Sequence, residues 1–150
     1  MRSVRVREAG PTPGPKNHRE LMKILDSDHC VYILRGRLDI DQVVESGERL
    51  AVTAVSVGEL SYGAHRSARA DENLARLHVL LSALPVLPFD EGAGRRFGSI
   101  KAQLMSAGTP VSDPDLQIAS IALDLGAPLI THNRRHFEPV LGLEIEDWMD

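Results

Sequence analysis

Four short apolar runs in the sequence are each followed by a polar residue whose side chain can bind a metal ion. These residues are Asp26 after the run 24–25, Glu59 after 52–57, Asp115 after 110–111 and Asn133 after 128–131. If the runs are strands of an open parallel sheet, their carboxyl ends lie at one edge, where such sheets bind ligands. The pattern therefore predicts an acidic site built from residues that are far apart in sequence.

Carboxylates that share a site repel one another unless a cation lies between them. Two such charges about 4 Å apart cost roughly 4 kcal/mol at an effective dielectric near 20, a large fraction of a small domain's stability. Carboxylate and amide oxygens favour Mg²⁺ or Mn²⁺. None of the six histidines belongs to an H-E-x-x-H or H-x-x-E-H motif, so the sequence does not favour zinc.

Three other enzyme classes lack their signature motifs. The sequence contains no G-x-x-x-x-G-K-[ST], no G-x-G-x-x-G and no G-x-S-x-G. Nucleoside triphosphate hydrolysis, dinucleotide binding and the serine hydrolase mechanism therefore lose their main support.

Asp26 and Glu59 each have a purely structural alternative. Asp26 is suited to cap the N-terminus of a helix, although Asp28 competes for that position. Ser56 and Glu59 have the spacing of a capping box, in which the glutamate bonds back to the cap residue. Each acid alone is therefore a weak signal, and only their recurrence at several strand ends favours a site.

Asp115 and Asn133 also have local interpretations. Asp113 is suited to be a helix cap with Pro114 at the first helical position, and Asp115 would then be favoured by the helix dipole. Asn133 would make a side-chain turn bond at the end of its strand. Asp115 is the less well explained of the two, because it precedes the apolar run 116–125 and would lie at the mouth of the sheet.

Composition predicts one cytoplasmic domain. The chain has 150 residues, 43% of them apolar, and no apolar run as long as a membrane span or a signal peptide requires. Its single cysteine, Cys30, is best interpreted as a small apolar residue. The net charge is +3 for residues 1–21 and −7 for the remainder, so contact with nucleic acid must rely on local basic patches and bound metal.

Residues 1–21 are predicted to be a disordered tail, and the domain is predicted to span 22–150. The stretch 8–18 is rich in glycine and proline and almost free of apolar residues. Met22 directly precedes the first predicted strand. One hypothesis is that translation starts at Met22 rather than at Met1. The intact mass of the native protein decides between the two starts, and a mass that includes residues 1–21 would contradict a start at Met22.

Short predicted strands alternate with longer predicted helices. The strands are 22–26, 49–54, 86–89, 128–131 and 143–145; the helices are 28–34, 39–46, 57–67, 71–84, 91–107 and 114–125. The helix 71–84 carries a leucine stripe interpreted as core packing. This alternation predicts an α/β fold with a mainly parallel sheet covered on both faces.

These motifs together resemble the PIN-domain ribonucleases, specifically the VapC-type toxins of prokaryotic toxin–antitoxin pairs. The resemblance covers residues 22–148 and rests on ILDSD at 24–28 with LRG at 34–36, SVGELSYG at 56–63, DLQIAS at 115–120, THNRRHF at 131–137 and EDW at 146–148. It implies a three-layer α/β sandwich with a central parallel sheet, and Mg²⁺- or Mn²⁺-dependent cleavage of RNA that leaves a 5′-phosphate and a 3′-hydroxyl. It also implies a homodimer and a small antitoxin whose C-terminal segment blocks the active-site groove.

The resemblance also assigns residues. Asp26, Glu59 and Asp115 fall on the family's first three acidic positions, with Asp26 and Asp115 as direct metal ligands. Asn133 falls where many members have a fourth aspartate, so a second metal would be held more weakly. Asp28 and Asp113 are the neighbouring acids that could compensate.

Two other functional classes stay open at this level. One is a Mg²⁺-dependent phosphoryl-transfer or receiver-type domain, which usually has a lysine late in the chain, whereas no lysine follows Lys101. The other is a catalytically weak interaction module whose acids are only helix caps. For an enzyme, the basic residues able to hold phosphates are Arg134, Arg135 and His136, with Arg35 and Arg37; those on the helix 91–107 and Arg66, Arg69 and Arg76 are interpreted as solvated or partner-facing.

Overall fold

The computed structural model describes residues 22–45 and 47–149. The strands are β1 (Met22–Leu25), β2 (Arg49–Thr53), β3 (Val86–Leu87), β4 (Leu129–Ile130) and β5 (Ile145–Glu146). The helices are α1 (Ser27–Leu34), α2 (Ile40–Glu45), α3 (Ala54–His65), α4 (Ala70–Ser82), α5 (Glu91–Ala107), α6 (Asp113–Leu125) and α7 (Arg134–Phe137). The predicted tail 1–21 lies outside the described residues.

The five strands form one sheet in the order β3-β2-β1-β4-β5, and every pairing is parallel. The central strand β1 pairs on both sides, with Ile24 opposite Ala51 of β2 and Leu129 of β4. The carboxyl ends of β1 and β4 therefore lie side by side, which places Asp26 next to Thr131.

The sheet separates two apolar layers, because alternate residues of a strand face opposite sides. Ile24 packs in a cluster with residues of α5 and α6, whereas Leu25 packs in a second cluster with residues of α1, α3 and α4. The predicted leucine stripe is confirmed as core, since Leu77, Leu80 and Leu84 are buried. The result is a three-layer sandwich.

Cys30 lies in the second cluster and is fully buried. Burial, aided by the nearby charges of Asp26 and Asp28, raises the pKa of its thiol to about 12. The interpretation of Cys30 as a small apolar residue is therefore confirmed, and the thiol is unreactive at neutral pH.

Two predicted helix caps are wrong. Helix α3 begins at Ala54, because the Thr53 hydroxyl accepts the Ser56 N–H at 3.1 Å and acts as the cap. Ser56 and Glu59 are thus both inside the helix and form no capping box. Helix α6 is capped by Ser112 rather than Asp113, since the Ser112 hydroxyl accepts from the Asp115 N–H.

The short helix α7 was not predicted, because four residues are too few to show helical periodicity. Among the described residues, no helix is both long and apolar enough to cross a membrane.

Candidate active site

Asp26 lies where β1 ends and α1 begins, and both of its carboxylate oxygens are occupied. Oδ1 accepts the Ser27 N–H at 2.8 Å, and Oδ2 accepts the Thr131 hydroxyl at 2.8 Å. The residue is only 4% exposed. Asp26 is therefore the N-cap of α1, as its local interpretation predicted. Capping uses only Oδ1, so it explains neither the bond from Thr131 to Oδ2 nor the burial of the side chain.

Burial raises the pKa of Asp26 to about 6. The bonds from Thr131 and Ser27 oppose this rise, whereas the charges of Asp28 and Asp115 increase it. Two neighbouring acids thus destabilise an already desolvated carboxylate. A cation bound beside Asp26 would remove that cost.

Asp115 occupies the first turn of α6, and its side chain is 23% exposed. Its Oδ2 lies 3.5 Å from Nδ1 of the exposed His136. The negative charge of Asp115 raises the pKa of both Asp26 and Glu59. The three acids predicted from sequence are therefore close enough to interact.

Glu59 lies on α3 at the mouth of the site. Partial burial raises the pKa of its carboxyl, a hydrogen bond with the Ser27 side chain lowers it, and the charge of Asp115 raises it further. Ser27 thereby contacts Asp26 through its backbone and Glu59 through its hydroxyl.

Asn133 is hydrogen-bonded to this edge of the sheet through its backbone. Its N–H donates to Thr131 Oγ1 at 3.0 Å, while its side chain is exposed and makes no capping bond to α7. The predicted side-chain turn bond is therefore wrong, and the amide is free to face a ligand at the site.

Sequence reasoning missed Thr131 and undervalued Asp28. The buried Thr131 hydroxyl lies between the two acids, 2.8 Å from Asp26 Oδ2 and 3.3 Å from Asp28 Oδ2. The available signals for Thr131 were its position at the end of an apolar run and its place in the THNRRHF segment at 131–137. Of the two acids considered as compensation for Asn133, Asp28 lies at this edge, where it accepts the His132 N–H at 2.8 Å, whereas Asp113 pairs with Lys101 at 2.9 Å.

The donor set fits a divalent cation that keeps most of its water. Within 22–45 and 47–149, no three His, Cys, Asp or Glu side chains form a group able to hold a metal by themselves. Mg²⁺ is commonly held by one or two carboxylates together with waters and substrate phosphates. Asp26 and Asp115 would provide such a pair.

The basic residues of α5 pair with acids on the surface. Arg95 pairs with Glu91 at 2.8 Å, and Arg96 lies 3.6 Å from Asp124. With Lys101 paired to Asp113, all three are neutralised on the surface. Their exposure agrees with the interpretation as a solvated or partner-facing surface.

Fold and site together define an α/β protein with an acidic site at the carboxyl edge of a parallel sheet, which is the class that contains the PIN-domain nucleases. The sequence profile of the PIN domain matches residues 23–140. The chain therefore belongs to the PIN-domain family.

Two curated relatives narrow this assignment. A tRNA(fMet)-specific endonuclease VapC from Salmonella typhimurium is 33% identical over 127 residues, covering 83% of this chain and 96% of the relative. A ribonuclease VapC2 from Haemophilus influenzae is 32% identical over 131 residues, covering 86% and 99%. The predicted likeness to VapC-type ribonucleases is confirmed.

Solved structures agree with the fold. DNA-bound VapBC from Salmonella typhimurium superimposes with a TM-score of 0.79 at 33% identity, covering 86% of this chain and 99% of that one. VapBC2 from Rickettsia felis, bound to a promoter DNA fragment, gives 0.78 at 26% identity, covering 85% and 99%. The predicted three-layer α/β fold is confirmed, and its sheet is wholly parallel.

Proposed function

We propose that this protein is the toxin of a toxin–antitoxin pair, an endoribonuclease that acts in the cytoplasm with a divalent metal ion. The observation that carries the proposal is Asp26, a carboxyl 4% exposed with a pKa of about 6 beside the charge of Asp115. Capping of α1 does not require a buried carboxylate beside a second acid, whereas metal binding does. The relatives named as ribonucleases supply RNA as the substrate class.

Asp26 and Asp115 would hold Mg²⁺ or Mn²⁺, with Mg²⁺ as our first choice. When bound, the ion would polarise the scissile phosphoryl group and lower the pKa of a coordinated water. Asn133 would contribute an uncharged amide oxygen at the same edge. This set would hold one metal firmly, and a second only when substrate phosphate completes its ligands.

Glu59 would orient or deprotonate the attacking water. Its raised pKa makes the carboxylate a better base near neutral pH than an ordinary glutamate. In-line attack would leave a 5′-phosphate and a 3′-hydroxyl. The exposed residues Arg134, Arg135 and His136 follow Asn133 directly and would contact the RNA phosphates.

The antitoxin would bind in a groove that opens beside the site. This groove, about 480 Å³ in volume, runs between α1, α3 and α4 from Ser27, Asp28 and Glu59 to Arg35 and Arg76. Val31, Leu60 and Leu77 line its apolar part. A peptide segment placed there would cover Glu59, which agrees with inhibition by an antitoxin's C-terminal segment.

A homodimer is also proposed, with the exposed Tyr62 of α3 near the interface. Tyr62 is 65% exposed. Among the described residues, its one ring contact is with Arg66, whose guanidinium carbon lies 5.5 Å from the ring centroid. Light scattering of the purified protein gives its mass in solution, and a strictly monomeric mass would contradict the proposal.

The test of function is cleavage of a total tRNA and rRNA pool by purified, antitoxin-free protein with Mg²⁺, with Mn²⁺ and with EDTA. Discrete fragments that require a metal and carry 5′-phosphates are expected. The absence of cleavage by well-folded protein in every metal would overturn the proposal and favour a PIN-like interaction module. Comparing the two metals at equal concentration decides which supports the faster reaction.

A further inference from the structure

The C-terminal segment contacts α1 through a buried histidine. His29 is fully buried, and its Nε2 lies 3.0 Å from the backbone N of Trp148, 119 residues away. The two rings meet edge to face with centroids 6.3 Å apart. The neighbouring Asp147 is held by His132 Nδ1 at 2.9 Å, so this segment is attached at two points.

These contacts determine which nitrogen of His29 carries the proton. A backbone N–H can only donate, so Nε2 must accept the Trp148 N–H and is unprotonated. The proton of the neutral ring is then on Nδ1, which lies 2.9 Å from Asp28 Oδ1 and donates to it. Both nitrogens of His29 are satisfied, one on each side of the ring.

Asp28, which is bonded to His29, also contacts the active-site edge. Its Oδ2 accepts the His132 N–H at 2.8 Å and lies 3.3 Å from the Thr131 hydroxyl. Burial tends to raise the pKa of Asp28, but its bonds from His29 and His132 hold that pKa below the ordinary value. Asp28 is thus a fixed carboxylate that positions Thr131, the residue bonded to Asp26.

We propose that His29 is a positioning residue for RNA cleavage: through Nδ1 it holds Asp28 in the orientation that fixes the Thr131–His132 turn beside Asp26. This inference rests on the proposed function. Residues that hold metal ligands in place through hydrogen bonds typically lower activity by roughly 10- to 100-fold when they are replaced. The competing explanation is that His29 only fills space beneath the C-terminal segment.

Two substitutions separate positioning from filling. In His29→Asn, the side-chain amide nitrogen replaces Nδ1 and keeps the donor to Asp28, but the side chain is smaller. In His29→Gln, the amide oxygen replaces Nε2 and keeps the acceptor for Trp148, and the side chain is closer to histidine in volume. If His29 positions Asp28, His29→Asn should be the more active variant, because it keeps the donor. If His29 only fills space, His29→Gln should be the more active variant, because it is closer in volume.

The experiment measures kcat and KM for Mg²⁺-dependent cleavage of total tRNA by wild type and both variants, with melting temperatures as the folding control. We expect His29→Gln to lose roughly 10-fold or more in kcat with KM changed less than about threefold, and His29→Asn to lose less. Trp148→Phe is the matched control and should stay near wild type, because it keeps the backbone N–H. Equal activities, or a more active His29→Gln, would overturn the proposal.

A second readout does not depend on cleavage. The ¹⁵N NMR signals of the His29 ring should identify a protonated Nδ1 and a bare Nε2, and the His132 amide should exchange faster in His29→Gln than in His29→Asn. A protonated Nε2 in the wild type, or identical exchange in the two variants, would overturn the positioning role. Absence of wild-type cleavage with the expected NMR result would instead remove the proposed function and leave the His29 contact intact.

Discussion

Thr131 Oγ1 lies 2.8 Å from Asp26 Oδ2, although 105 residues separate them in the chain. The contact exists because β1 and β4 are parallel neighbours that end at the same edge of the sheet. It gives the most buried acid of the site a hydrogen bond that favours its ionised form.

Replacing Asp26 or Asp115 by asparagine should abolish metal-dependent cleavage, with a loss of about 100-fold or more in rate. A metal that stabilises the transition state contributes several kcal/mol, and each 1.4 kcal/mol is about tenfold. Asp113→Asn is the matched control, since Asp113 lies in the same helical turn as Asp115 but pairs with Lys101. Full activity of either site variant in the tRNA cleavage assay would remove these residues from the site.

Asp26→Asn should stabilise the metal-free fold at neutral pH. Because the folded-state pKa of Asp26 is raised to about 6, the native protein binds this proton more tightly than the unfolded chain does. The wild-type free energy of unfolding therefore falls as pH rises from about 4 to about 6, and the cost is complete above that range.

Urea unfolding in EDTA measures this effect. We expect Asp26→Asn to be more stable than wild type by on the order of 2–3 kcal/mol at about pH 8 and to differ little at about pH 4. Asparagine also keeps the helix cap. Addition of Mg²⁺ at the higher pH should stabilise only the wild type, and a pH-independent difference between the proteins would contradict the assigned pKa.

Thr131→Val should raise the pKa of Asp26 further and shift the acidic limb of the pH–rate profile to higher pH. The valine keeps the shape of threonine but removes the hydroxyl that donates to Asp26 and accepts from Asn133. Stability should fall by about 1–2 kcal/mol, the usual cost of leaving buried polar groups unpaired. Thr131→Ser keeps the hydroxyl and should preserve the wild-type profile; the same shift in both variants would point to packing instead.

Asn133→Asp should strengthen metal binding. A fourth carboxylate adds one negative charge at the exposed position that follows Thr131, where the site has an amide. Calorimetric titration with Mn²⁺ should give an affinity roughly tenfold higher, equal to about 1.4 kcal/mol. Asn133→Ser leaves the charge unchanged and is the control. An equal gain in both variants would show that charge is not the cause.

The strand ends that carry Asp26 and Asn133 could be predicted from sequence, because short apolar runs that alternate with longer helical segments indicate buried parallel strands. Asp115 could be predicted as a site residue because the cap considered for its helix, Asp113, left no structural need for a second acid. The cap at Thr53 could not be predicted, because Thr53 and Ser56 carry the same hydrogen-bonding groups. Only the backbone conformation decides which of them caps the helix. The capping box considered as the structural alternative for Glu59 therefore does not form.

The roles of Thr131 and His29 could not be identified from sequence patterns, and Asp28 could be named only as an acid close to Asp26. Their importance depends on side-chain orientation, and partners more than 100 residues apart leave no trace in local periodicity. His29 carries the clearest example: nothing near it in sequence indicates that both ring nitrogens are engaged, one by Asp28 and the other by the backbone of Trp148.

The order of the strands has a consequence for synthesis of the protein. The edge that carries the candidate site joins Asp26 to Thr131, 105 residues later, and His29 to Trp148, 119 residues later. A nascent chain lacks Thr131 and Trp148 until β4 and β5 have been made, and so cannot assemble this edge before then. A cell translating this protein is therefore exposed to its nuclease activity only after β4 and β5 have left the ribosome, at the stage when a partner protein can also bind it.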